Sequence, residues 1–84
     1  MAIAGDIMEF TGNAAKAGEI TLKKGDLVVL VGFDPTDNVW LLAKIRDDEE
    51  AVKAMENLWS DFEVNSARLE HFAFVRQLPA DTRG

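Results

Sequence analysis

The residues able to do chemistry are few and lie far apart in type. His71 is the only histidine of the chain. Ser66, His71 and a neighbouring carboxylate have the residue types of a nucleophilic site, but nothing in their spacing fixes a geometry, so His71 reads as a lone surface or strand-end histidine. The segment from Gly12 to Gly18 has a lysine beside its glycines, yet the G-x-x-x-x-G-K-[ST] order of a phosphate loop is absent. The run Asp47 to Glu50 offers carboxylate oxygens without the alternating ligands and central glycine of a calcium loop. It reads as the negatively charged start of a helix. The chain has no cysteine, which excludes disulfides and thiolate metal sites. The side chains with most to offer a partner are aromatic: Trp40 first, because interface anchors are enriched in tryptophan, then Phe10 and Phe74. These residues predict no catalytic centre, no metal and no cofactor.

The elements that hold these side chains must come from one modest core, since 84 residues make one domain. Apolar content of 48% fits a folded chain and is too high for disorder. The N-terminal MAIAGDIMEF lacks the basic flank and apolar run of a signal peptide. The longest apolar stretches, Leu27 to Val31 and Val39 to Ala43, are too short to span a bilayer. A cytoplasmic, cysteine-free chain away from the membrane is the expectation. Net charge is −6, with −2 in residues 1–45 and −4 in residues 46–84. Without a basic cluster, direct binding to nucleic acid is not expected.

Along the chain, Ile7 to Phe10 is short and β-compatible. Thr11 to Gly18 reads as a loop. Glu19 to Leu22 looks extended, and Lys23-Lys24-Gly25-Asp26 is turn chemistry. Leu27 to Phe33 is β-branched and bounded by turns, which favours a strand. Asp34 to Asn38 is a second turn around Pro35. Val39 to Ile45 is the next strand. The period then changes: Ala51, Val52, Met55, Leu58 and Trp59 share a helical stripe, predicting a helix over 48–59 with Asp47 or Asp48 as N-cap. Phe62 to Val64 reads as a short strand, Asn65 to Glu70 as a tight 3₁₀ turn, Phe72 to Leu78 as the last strand, and 79–84 as a flexible tail. Five short strands with one helix favour a small barrel or sandwich.

Glu19 to Val31, EITLKKGDLVVLV, resembles the "LSFKKGD" diverging turn and following strand of SH3 domains. Trp40 to Ile45 resembles that family's "WW-x-[GA]-x-[hydrophobic]" strand, at matching spacing. Ala73 to Leu78 resembles its closing "xYVxxL" strand, and Met8 to Gly12 occupies the slot of its "ALYDY" motif. The four pieces are in the family's order and lie between residues 8 and 78 of the chain. The resemblance implies a mainly β, SH3-like five-stranded small barrel of the bacterial or phage kind, spanning 1–84 as a single domain, with the helix 48–59 inserted between its third and fourth strands. Strand alternation would point Val28 and Leu30 into the barrel, with Ala43 and Ile45 on the inner face of the next strand and Val75 closing the core. Leu27, Val29 and Leu42 would face away, with the stripe Val52, Met55, Leu58 and Trp59 as their cover. The family's peptide groove would consist here of Phe10, Trp40 and Phe74, with Glu19 as the acidic residue for a basic anchor. An ungapped alignment places Phe10 on the first tyrosine of the motif; a two-residue shift places Met8 and Phe10 on its two tyrosines. The chain has no tyrosine at all. The hydroxyls that bind ligand carbonyls in the family are therefore missing, as is the proline before its 3₁₀ turn.

The function expected is that of a non-catalytic protein- or peptide-binding module using the barrel face around Trp40, with the apolar outer face as an alternative homodimer contact. The second expectation is a small acidic accessory or inhibitor protein, whose helix side at Asp47 to Glu50 occupies a basic, nucleic-acid-binding surface of its partner.

Overall fold

The computed structural model describes residues 2–78; the expected tail lies outside them. The element order is β1 (Asp6–Phe10), β2 (Ala15–Ala17), β3 (Ile20–Leu22), β4 (Leu27–Asp34), β5 (Val39–Ile45), α1 (Asp48–Asn57), β6 (Phe62–Asn65), a 3₁₀ turn (Ser66–His71) and β7 (Phe72–Gln77). The described chain is mainly β. A five-stranded antiparallel sheet has the order β6-β5-β4-β1-β7, and β2 and β3 form a separate two-stranded ribbon. The two outer strands of the large sheet are consecutive in sequence, joined through the 3₁₀ turn.

The run LVVLV of β4 forms the centre of the sheet because both of its faces are covered. Val28, Val29 and Leu30 are fully buried. Alternation sends Val28 and Leu30 to one apolar layer with Met8, Phe10, Leu22, Leu42, Phe62 and Phe72. Val29 goes to the other, with Ile7, Val31, Ala43, Ile45, Leu78 and the helix residues Ala51, Ala54 and Met55. Each fully buried Val, Ile or Leu contributes about 1.5–3 kcal/mol of transfer free energy.

This two-layer arrangement corrects the expected facing of β5. Opposite residues of an antiparallel pair share a face, and the pairs are Val29↔Ala43 and Leu30↔Leu42. Leu42 therefore joins Val28 and Leu30, while Ala43 and Ile45 face the helix. A register difference of one residue reverses every side chain of a strand. The last strand also departs from expectation. The β1–β7 register shifts between Ile7 and Met8, leaving Val75 as the unpaired extra residue of a bulge. Val75 is 38% exposed and closes nothing; Leu78 instead is buried against the helix layer.

Helix α1 begins where acidic residues favour it. Asp47 is the N-cap, its Oδ1 accepting from the Glu50 N–H at 2.9 Å. A ten-residue helix is marginal alone, so its packing through Ala51, Ala54 and Met55 on β4 and β5 holds it. Leu27, Leu41 and Val52 complete this contact. The helix ends at Asn57, earlier than the stripe predicts. Leu58 turns left-handed (φ 51), its N–H donates to the Met55 carbonyl, and the Trp59 N–H donates to the Ala54 carbonyl. This is the Schellman closure, and it turns Leu58 and Trp59 away from the sheet, at 78% and 56% exposure.

The expected loop Thr11 to Gly18 contains strand β2, which pairs with β3 across a two-residue turn at Gly18 and Glu19. Small residues with little β preference conceal this strand; its partner supplies the pairing. The following turn matches its sequence. Gly25 adopts φ +97, a conformation in which a side chain would be strained. Asp26 Oδ2 accepts from the Lys23 N–H at 2.7 Å.

Candidate binding cleft

A cleft of about 470 Å³ opens between the β2–β3 ribbon, β6 and the 3₁₀ turn. Phe10 and Phe72 line it, with ring centroids 5.3 Å apart and planes inclined at 55°. Both rings are nearly buried and join the apolar layer beneath. Leu22 and Val64 extend the apolar lining. The polar lining comes from Lys16 on β2, Glu63 and Asn65 on β6, and Arg68 and His71 on the 3₁₀ turn.

Backbone hydrogen bonds hold the walls of the cleft. The Phe10 N–H donates to the Asp26 carbonyl and the Gly25 N–H donates to the Phe10 carbonyl, both at 2.8 Å. Thr11 anchors the end of the 3₁₀ turn: its N–H and its hydroxyl donate to the His71 carbonyl at 2.8 and 2.9 Å. Asn65 caps the start of that turn, with Oδ1 accepting from the Ala67 N–H at 2.8 Å. Gly12 lies against the Phe10 ring, where a Cβ would sit 3.0 Å from Cζ.

A cation ties the ribbon to the main sheet. Lys44 Nζ donates to the Thr21 carbonyl at 3.0 Å and pairs with Asp26 Oδ2 at 3.4 Å, while the Lys44 N–H donates to Asp61 Oδ2 at 2.8 Å. The Lys23 backbone N–H holds the Asp26 carboxyl below the usual carboxylate range; burial opposes it, and the Lys44 ammonium adds to the lowering.

The aromatic residues predicted from sequence do not converge on this cleft. Phe10 lines it. Trp40 stands beside it on β5, paired with Val64 of β6 and stacked at a tilt on Phe33 with centroids 5.2 Å apart. Phe74 is 60% exposed on β7 and outside the lining. Glu19 is exposed on the turn of the ribbon, also outside it. Sequence reasoning passed over Phe72, Lys16 and Arg68. Phe72 and Phe74 have the same strand parity, so choosing between them required the end of the 3₁₀ turn.

Ser66 and His71 stand at opposite ends of the 3₁₀ turn, and no hydrogen bond joins them. Among the described residues no group of His, Asp or Glu side chains is arranged to hold a metal ion, and no helix is long and apolar enough to cross a membrane. Three of the four residues of the acidic run, Asp47, Asp48 and Glu50, are engaged within the chain. Asp47 caps α1, Asp48 pairs with Arg76 of β7, and Glu50 pairs with Arg46 at 2.7 Å. Hydrogen bonds from the Arg46 side chain, and then its backbone N–H, lower the Glu50 pKa; the Glu50 carboxylate correspondingly raises that of Arg46.

The fold and cleft define a mainly β domain with one covering helix and an aromatic-floored cleft where the 3₁₀ turn joins the two outer strands of its sheet. No protein-family model matches the chain, and no curated protein or solved structure shows significant similarity to it.

Proposed function

We propose that this chain is a non-catalytic, cytoplasmic binding module on an SH3-like small barrel, which takes a protein or peptide segment into the cleft over Phe10 and Phe72. The carrying observation is the cleft itself: two tilted aromatic rings at its floor, set by backbone hydrogen bonds on both flanks. Peptide sites combine a preformed apolar floor with a few polar groups at the rim, and this cleft has both.

Three features support the SH3-like reading. The ribbon β2–β3 lies between β1 and β4, where that family carries its long RT loop. The Lys23–Asp26 turn leads into the central strand, as the diverging turn does. A 3₁₀ turn joins the two outer strands. Trp40, next to Val64, extends the binding face beyond the cleft.

The test is a chemical-shift titration of the labelled full chain with short proline-containing peptides of acidic, neutral and basic composition. The expected result is perturbation at Val64, Phe72 and Trp40 by at least one of them. Absence of any perturbation in this region across the panel refutes the reading. The alternative of an acidic face is less favoured, because Asp47, Asp48 and Glu50 already have partners within the chain.

A further inference from the structure

The cleft differs in electrical sign from the chain that carries it. The whole sequence has fifteen acidic and nine basic residues. The charged and ionisable groups lining the cleft are Lys16, Arg68 and His71 against one carboxylate, Glu63. Lys44, Arg46 and Arg76 each hold a carboxylate of this chain. The side chains of Lys16, Arg68 and His71 take part in none of the ion pairs or side-chain hydrogen bonds formed among the described residues; Lys23, Lys24 and Lys53 are also without an ion pair but lie outside the cleft, so only at the cleft do such groups stand beside an apolar floor. In a chain with carboxylates in excess, Lys16, Arg68 and His71 face solvent at this rim above an apolar floor.

From this we propose that the occupant of the cleft is an acidic peptide segment, with an apolar side chain on Phe10 and Phe72 and carboxylates toward Lys16, Arg68 and His71. The proposal rests on the binding reading above and gives it a partner class. Lysine and arginine supply several donors each, and an imidazole supplies at least one N–H in either protonation state. Charge-assisted hydrogen bonds from such donors to carboxylates are the stronger kind. The expected Glu19 anchor for a basic ligand is off the cleft, which leaves Glu63 as the one lining carboxylate to attract a basic peptide. A nucleic acid is the less fitting polyanion. It extends beyond a cleft of this size onto a surface with net charge −6, where its phosphates are repelled.

The experiment uses the full chain and three synthetic peptides with one shared Phe-Leu core, flanked by Asp and Glu, by Ser and Gln, or by Lys. Binding is followed by shift perturbation and by calorimetry at low and high salt. The acidic peptide is expected to bind about tenfold or more tighter than the basic one, to perturb Lys16, Arg68, His71 and Phe72, and to weaken as salt rises. The double variant Lys16→Glu with Arg68→Glu should reverse the order, and binding of the basic peptide then also reports that the variant is folded. Equal or tighter binding of the neutral or basic peptide at the cleft of the parent chain overturns the acidic assignment and leaves the binding reading standing. A single-stranded oligonucleotide that displaces the acidic peptide at lower concentration than unlabelled acidic peptide does also overturns it. No perturbation of the cleft by any peptide refutes the binding reading itself, and the acidic assignment with it.

Discussion

Leu58 offers a test in which the effect should be a gain. It occupies the left-handed position that closes α1, with φ 51, where glycine is the usual residue. A side chain in that conformation costs about 1–2 kcal/mol. Glycine removes this cost but loses more chain entropy on folding, by about 0.5–1 kcal/mol. Leu58 is 78% exposed, so its truncation sacrifices little burial. Leu58→Gly should therefore stabilise the domain by about 0.5–1 kcal/mol, which for a domain of this size raises the melting temperature by roughly 2–8 °C. Leu58→Ala keeps the Cβ and should show no comparable gain. Asn38 has φ 57, but asparagine tolerates this region, so Asn38→Gly should change stability by only a few tenths of a kcal/mol. Thermal and urea unfolding of the three variants decide the matter. A Leu58→Gly protein no more stable than the parent, or an alanine variant that equals it, would refute the account of the helix end.

Leu30 is fully buried on the central strand, and Leu30→Ala should cost about 3–5 kcal/mol by urea unfolding. That is a large part of the roughly 4–13 kcal/mol available to a domain of this length. Asp26 has a folded-state pKa below its ordinary value, so its stabilisation is complete above the ordinary value and fades as pH falls through the lowered one. Asp26→Asn should lower stability at neutral pH and flatten the acid limb below about pH 4; an unchanged limb would contradict that linkage. Gly12→Ala should move the Phe10 ring, since the added Cβ would meet Cζ at 3.0 Å, and the check is a shift of the Phe10 and Phe72 ring protons with the β4 and β5 amides unaffected.

Much of the fold was legible because its signals are local. Turn residues bracket LVVLVGF and VWLLAKI, and the change of period after Ile45 marks the helix. The facing of β5 was not legible. Leu41, Leu42 and Ala43 are all apolar, so alternation alone does not say which belongs to which layer; the pairing of Leu30 with Leu42 does. Ala15–Ala17 was hidden because ribbon pairing overrides its weak propensity. The helix stripe extended too far because Leu58 and Trp59 fit the period, while the left-handed closure is a backbone event with no glycine to announce it. At the cleft, Phe10 could be found from sequence. Lys16, Arg68 and Phe72 could not, since they meet only through folding of distant segments.

The adjacency of β1 and β7 has a consequence for the order of events during synthesis. Ile7 lies beside Arg76, and the Leu78 N–H donates to the Gly5 carbonyl. While the chain is being made, β1 can gain its neighbour β4 early, but its other edge stays open until nearly the whole described chain has emerged from the ribosome. Such distant pairing slows the final step more than it weakens the product, because the entropy of closing a loop grows only slowly with its length. Throughout that interval the nascent chain carries an open strand edge beside the apolar residues Ile7, Met8 and Phe10, and this is the period in which it is most exposed to misassociation.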